Sequence, residues 1–127
     1  MSKTYADFLI DTLAKQGVRH IYGLVGDSLN PIVDAVRRHK DMEWIHVHNE
    51  ESAAFAAGAE SLVTGELAVC AASCGPGNTH LVQGLYDAHR NGARVLALAT
   101  PIPSEESGTG LFQETHPLRG PREGAGY

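Results

Sequence analysis

The sequence predicts an α/β fold in three layers: a doubly wound, mostly parallel sheet with helices on both faces. Apolar runs of strand length alternate with longer stretches of helical period. Two of the runs, Leu67 to Ala72 and Arg94 to Ala99, are almost wholly apolar, as strands covered on both faces are. The links between strand and helix are short and glycine-rich, which suits a chain that returns to the same sheet in a parallel sense.

Thr4 can cap a first helix that carries Tyr5, Phe8, Leu9 and Leu13 on one face and closes at Gly17. His20 to Val25 reads as a strand, with Gly26-Asp27-Ser28 as the turn after it. A second helix follows around Pro31 to Arg38, since proline is tolerated in a first turn. Glu43 to His48 alternates as a strand does, with its centre at Trp44 to Val47. Asn49 is a good N-cap for a helix from Glu50 to about Val63, which stops before Gly65. Leu67 to Ala72 is the next strand, Pro76 to His89 the next helix, and Arg94 to Ala99 the last strand. No internal repeat occurs, and no low-complexity tract precedes residue 103.

In such a sheet Gly26-Asp27-Ser28, Asn49-Glu50 and Gly75-Pro76-Gly77-Asn78 fall at the carboxyl edge, where open α/β sheets bind their ligands. Glu50 is the candidate for proton chemistry, because it enters an almost uncharged helix straight from an apolar strand. Walls of Ala53, Ala54, Phe55 and Ala57 would desolvate its carboxylate and raise its pKa, whereas a helix N-terminus lowers it. Glu50 can equally be a first-turn acid that favours the helix dipole, and the adjacent Glu51 fits that reading.

The backbone amides of Gly75-Pro76-Gly77-Asn78 could cradle a phosphate at a helix start. The stretch nevertheless lacks the third glycine of a dinucleotide fingerprint, and no Walker lysine follows. Of the seven histidines, His46 and His48 share a strand face, but no third ligand stands at a supporting spacing, and surface or interface residues explain them. His80, Tyr86 and His89 lie at helical spacing beside Leu81 and Leu85, which suits packing or a subunit interface. Cys70 and Cys74 are too few for a zinc knuckle and read as buried thiols near the end of a strand, since their spacing is not that of a redox Cys-x-x-Cys.

A chain of 127 residues suits one domain with a real core. Its apolar content of 43% and charged content of 20% are ordinary for a globular protein. The net charge of -5 and the scattered basic residues disfavour nucleic acid as a partner. No apolar run reaches the length of a membrane span and the N-terminus lacks an apolar signal core, so a cytoplasmic location is expected.

Four segments, Gly23 to Ser28, Asn49 to Glu60, Ser73 to Asn78 and Phe112 to Pro117, together resemble the pyrimidine-binding domain of thiamine diphosphate enzymes, in register from about Tyr5 to Pro117. The stretch from Glu66 to Asn78 and the Phe-Gln-Glu-Thr-His-Pro run are similar to the bacterial quinone-linked pyruvate dehydrogenases, or pyruvate oxidases. The resemblance implies that Glu50 holds the N1' nitrogen of the cofactor's aminopyrimidine and so promotes deprotonation of the thiazolium C2. It implies too that Val25, Gly26, Pro76 and Asn78 line the pyrimidine site, and that Phe112 and Gln113 shape the substrate pocket. Pyruvate would be the substrate, with electrons passing through FAD to a membrane quinone and acetate left behind.

In this family the diphosphate and Mg²⁺ are held by a second domain of a partner subunit, and FAD lies on a middle domain. The expected unit is therefore a homodimer or higher oligomer of longer subunits, with membrane and quinone contact made by parts absent from this sequence. No metal ligand is expected within it. Residues 118–127 depart from the family's pattern and read as a mobile tail after a domain spanning 1–117, as in a truncated or frame-altered product that is inactive alone. Two other readings stay open: the same domain from a carboligating relative such as acetolactate synthase, and a non-catalytic phosphate-binding or dimerisation module.

Overall fold

A computed structural model describes residues 3–111 and 113–115. Phe112, His116 and the divergent tail, with the expected boundary after residue 117, lie outside the described residues.

Helix α1 (Tyr5–Lys15) begins where Thr4 and Asp7 close a capping box. The Asp7 amide donates to the Thr4 hydroxyl at 3.2 Å, and the Thr4 amide donates to the Asp7 carboxylate at 2.9 Å. Its buried face is only in part the expected one: Leu13 is buried and Leu9 packs against the core, but Tyr5 and Phe8 do not. Ala6, Ile10 and Leu13 point inward, whereas Tyr5 and Phe8 are 82% and 64% exposed. Spacing allowed two neighbouring faces, and the one with the small Ala6 comes closer to the sheet.

Strand β1 (His20–Gly23) is shorter than predicted, because Leu24 and Val25 leave the sheet on the way to a 3₁₀ turn at Asp27–Leu29. Helix α2 (Asn30–Arg38) carries Pro31 in its first turn. Strand β2 (Glu43–His46) leads to α3 (Glu50–Thr64), where the Asn49 side chain accepts from the Glu51 amide at 2.8 Å. Gly65 ends α3 with φ of 74°, the left-handed conformation that glycine reaches without a Cβ penalty. Strand β3 (Ala68–Ala72), helix α4 (Pro76–Arg90) and strand β4 (Val95–Ala99) follow.

All four strands are parallel, in the order β2-β1-β3-β4, with Ile21 opposite both Trp44 and Val69 and Cys70 opposite Ala97. Ile10, Leu13, Leu29, Ala35 and Val36 cover one face over Ile21, Val69 and Ala71. Ala53, Ala54, Ala57 and Leu81 cover the other over Ala68, Cys70 and Ala72. Strand β3 thus feeds both layers by simple alternation, which is why its sequence is apolar throughout.

Helices α3 and α4 meet closely. A Cβ on Gly84 would lie 2.5 Å from that of Ala54, and Gly58 faces Ala88 across the same seam. Among the described residues, no helix is long and apolar enough to cross a membrane.

Candidate functional site

The sheet order creates a crevice. Strand β1 passes the chain to α2 on one face and its neighbour β3 passes it to α4 on the other, so the two loops diverge at the carboxyl edge. A cluster of hydroxyls ties them together beneath. The Ser28 hydroxyl lies 2.9 Å from that of Ser73 and 2.6 Å from that of Thr100, and it accepts from the Cys74 amide at 3.0 Å. Thr100 in turn donates to the Ala72 carbonyl at 3.1 Å. Gly26 sits directly against Ser73, where a Cβ would collide with the serine side chain.

Glu50 enters this crevice from the first turn of α3 and is 7% exposed. Its Oε2 lies 3.0 Å from Nδ1 of His80, which stands on α4 and is half exposed. Its Oε1 carries no hydrogen bond to a described residue and rests against Gly77, where an added Cβ would lie 2.9 Å away. A buried carboxylate with one oxygen held and one available can accept from, or share a proton with, a ring nitrogen brought into the crevice.

Asn78 is 4% exposed; its amide donates to the Thr100 carbonyl at 2.8 Å, and its Oδ1 is buried without a partner among the described residues. Gly75 takes φ of 82°, and a Cβ there would lie 3.3 Å from Gln113. The half-buried Gln113 also receives the Cys74 thiol at 3.9 Å, which draws the loop that carries it to the crevice.

Along the carboxyl edge, Glu50 meets Gly77, Gly75 meets Gln113, Asn78 bonds to Thr100, and Gly26 meets Ser73. Pro76 is exposed at the head of α4, and Val25 stands at the rim, 50% exposed. Phe112 lies outside the described residues.

Sequence reasoning missed His80, which it assigned to packing or an interface. The signal was its position three residues after Gly77 in the same helix, which puts both on one face. Ser73 and Thr100 gave no such signal, since their meeting depends on β3 lying between β1 and β4.

Cys70 is fully buried within β3, and burial pushes its thiol up to about 12, while Cys74 is half-buried rather than buried as expected. Both are free thiols. His46 and His48 are exposed with rings 5.8 Å apart, although His48 lies beyond the end of β2. Among the described residues, no group of three or more His, Cys, Asp or Glu side chains could hold a metal ion.

Comparison with known proteins adds an independent line. A family model described as "Thiamine pyrophosphate enzyme, N-terminal TPP binding domain" matches residues 3–119. The chain is 64% identical over 112 residues to an "Uncharacterized 42.6 kDa protein in isoamylase 3'region" of Pseudomonas amyloderamosa, covering 88% of this chain and 28% of that one. It is 42% identical over 107 residues to the pyruvate oxidase of Lactiplantibacillus plantarum, covering 84% and 18% respectively. It is also 40% identical over 114 residues to the acetolactate synthase of Arthrospira platensis, covering 87% and 20%. The chain thus spans between 18% and 28% of the length of these relatives.

Proposed function

Because the chain belongs to the family of N-terminal TPP binding domains of thiamine pyrophosphate enzymes, we propose that its crevice is the pyrimidine half of a catalytic thiamine diphosphate site. The observation that carries this reading is Glu50: a buried carboxylate at the carboxyl edge of a parallel sheet, with Oε2 held by His80 and Oε1 open against Gly77. The residues fit an aminopyrimidine. Glu50 offers an acceptor for a ring nitrogen, Gly77 leaves space that any side chain would fill, and Asn78, next to Gly77 in α4, keeps a buried oxygen without a partner among the described residues.

Thiamine diphosphate, when bound, supplies a nucleophilic carbon and an electron sink for decarboxylation of a 2-oxo acid. Glu50 holds and exchanges the proton at the ring nitrogen, a contribution of about 10²–10⁴-fold to the rate. Gly77 lets the backbone approach the ring, Val25, Gly26 and Pro76 border it, and Gln113, with the adjacent Phe112, shapes the space for substrate. The hydroxyl cluster of Ser28, Ser73 and Thr100 fixes the two loops so that these distances are set before the cofactor arrives.

We propose pyruvate as the substrate and oxidation to acetate through FAD and a quinone as the reaction of the complete protein. The likeness to a pyruvate oxidase supports it. The diphosphate, Mg²⁺ and FAD would be held by other domains, with the pyrimidine half meeting the diphosphate half across a dimer or higher oligomer. A carboligating reaction is the second reading, favoured by a nearly equal identity to an acetolactate synthase.

The test is Glu50→Gln in the complete enzyme. Thiamine diphosphate should still bind, and hydrogen–deuterium exchange at C2 should slow by about 10²–10⁴-fold. Exchange at the wild-type rate would remove Glu50 from the chemistry and leave a binding or dimerisation module. Acetate or acetolactate as the product of the wild type separates the two enzymatic readings.

A further inference from the structure

We infer that His80 is the positioning residue of Glu50: its Nδ1–H holds one carboxylate oxygen and so fixes the glutamate rotamer that turns the other oxygen toward the crevice. A glutamate side chain has three rotatable bonds, and its surroundings here are small. Gly77 lies on the Oε1 side and offers no donor from a side chain. His80 is the one described side chain hydrogen-bonded to the carboxylate, at 3.0 Å. Without it the side chain could leave this rotamer and turn its carboxylate away from the crevice.

The two helices are arranged to keep this contact at constant distance. His80 precedes Leu81, which is 1% exposed and anchors α4 to the sheet. One turn further on, Gly84 lies against Ala54 of α3, the helix that bears Glu50. The acid and its clamp therefore sit on elements locked to one another at close range. The contact uses Nδ1, the imidazole nitrogen nearer the backbone. An asparagine amide nitrogen stands the same number of bonds from Cα, whereas a glutamine amide nitrogen stands one bond further.

The inference deepens the proposed function and rests on it only for the identity of the group that Oε1 receives. Its test is made on this chain, without cofactor. Long-range ¹⁵N–¹H correlation spectra should show His80 with a proton on Nδ1, a state lost in Glu50→Ala. A bare Nδ1, with the proton on Nε2 alone, would overturn the inference. Relaxation of the Glu50 Cγ methylene gives a second reading: one rotamer in the wild type and in His80→Asn, and rotamer exchange in His80→Gln and His80→Leu. Equal order in all three variants would overturn it as well. His80 exposes half of its side chain, and an amide spectrum unchanged outside α4 verifies that each variant folds.

The free 4-aminopyrimidine fragment of thiamine is the ligand probe. Its Kd should rise about tenfold in His80→Leu and His80→Gln and stay within about twofold of wild type in His80→Asn. A wild-type chain that binds none of it would count against the cofactor reading, while the two spectroscopic readouts still decide the role of His80.

Discussion

Replacing Gly84 by alanine should loosen the domain, although the same exchange one turn along the facing helix should tighten it. An alanine Cβ at Gly84 would lie 2.5 Å from Ala54 Cβ, 2.8 Å from the Phe55 nitrogen and 2.9 Å from the Ala54 carbonyl carbon. Ordinary carbon contacts are about 3.5–4.0 Å, so α3 and α4 would have to part by about 1 Å. Two of the three atoms belong to the α3 backbone and cannot rotate away. Overpacking of this kind costs about 1–3 kcal/mol, and the backbone obstacle places Gly84 at the upper end. Alanine's higher helix propensity returns about 1 kcal/mol, leaving a net loss of about 1–2 kcal/mol. At Gly58 the nearest atom to an added Cβ is Ala88 Cβ at 3.4 Å, an ordinary contact. Gly58→Ala should therefore gain about 0.5–1 kcal/mol. Denaturant midpoints of the two variants and wild type give the comparison, with wild type expected between them. If Gly84→Ala is as stable as Gly58→Ala, the seam is not close-packed and the reasoning fails.

Gly77→Ala should leave the folding free energy within about 0.5 kcal/mol of wild type, because the helical gain offsets a contact with the tip of a side chain. It should slow C2 exchange in the complete enzyme by about 10²-fold through displacement of Glu50, and normal exchange would refute the placement of Oε1. Hydrogen bonds from the Thr4 amide and hydroxyl, with Arg38 beside them, hold the Asp7 carboxyl down at about 2, against 3.8 for the free side chain. Its contribution is therefore present above about pH 4 and lost as pH falls through about 2, so Asp7→Asn should show a shallower acid loss in melting temperature than wild type. Parallel acid limbs would exclude that carboxyl as the source. Cys74 should react with a thiol reagent in the native chain and Cys70 only after unfolding, since Cys70 is buried with its thiol pushed up to about 12. Equal labelling rates would contradict the burial of β3.

Much of the architecture was legible because its signals were local. Thr4, Asn49 and Gly65 mark helix ends through hydrogen bonds and φ values that involve their own neighbours. The Ala-Val-Cys-Ala-Ala run of β3 announces a strand covered twice. Where the sequence misled, the deciding fact was tertiary. Tyr5 and Phe8 are larger than Ala6, so apolar size favoured the wrong face of α1, but the distance to the sheet admits the small residue. Leu24 and Val25 have strand character and still leave the sheet, since the path to α2 requires it. At the site, Glu50 was readable from a strand-to-helix junction, whereas its partnership with His80 arises only when α3 and α4 lie side by side. The meeting of Ser28 with Ser73 and Thr100 needs three strand ends at once.

That last arrangement bears on how the chain acquires its site over time. The strands that lead to Ser28, Ser73 and Thr100 are parallel, so each pairing must wait for a crossover helix and the closure of a long loop. Contacts between residues so distant in sequence place such folds toward the slow end of two-state folding. The hydroxyl cluster can close only after β3 has taken its place between β1 and β4. The carboxylate on α3 gains its cover at the same stage, because Gly77 and His80 arrive on the helix after β3. The crevice is thus a late product of the whole sheet, and a nascent chain that has reached only α3 holds Glu50 in open water.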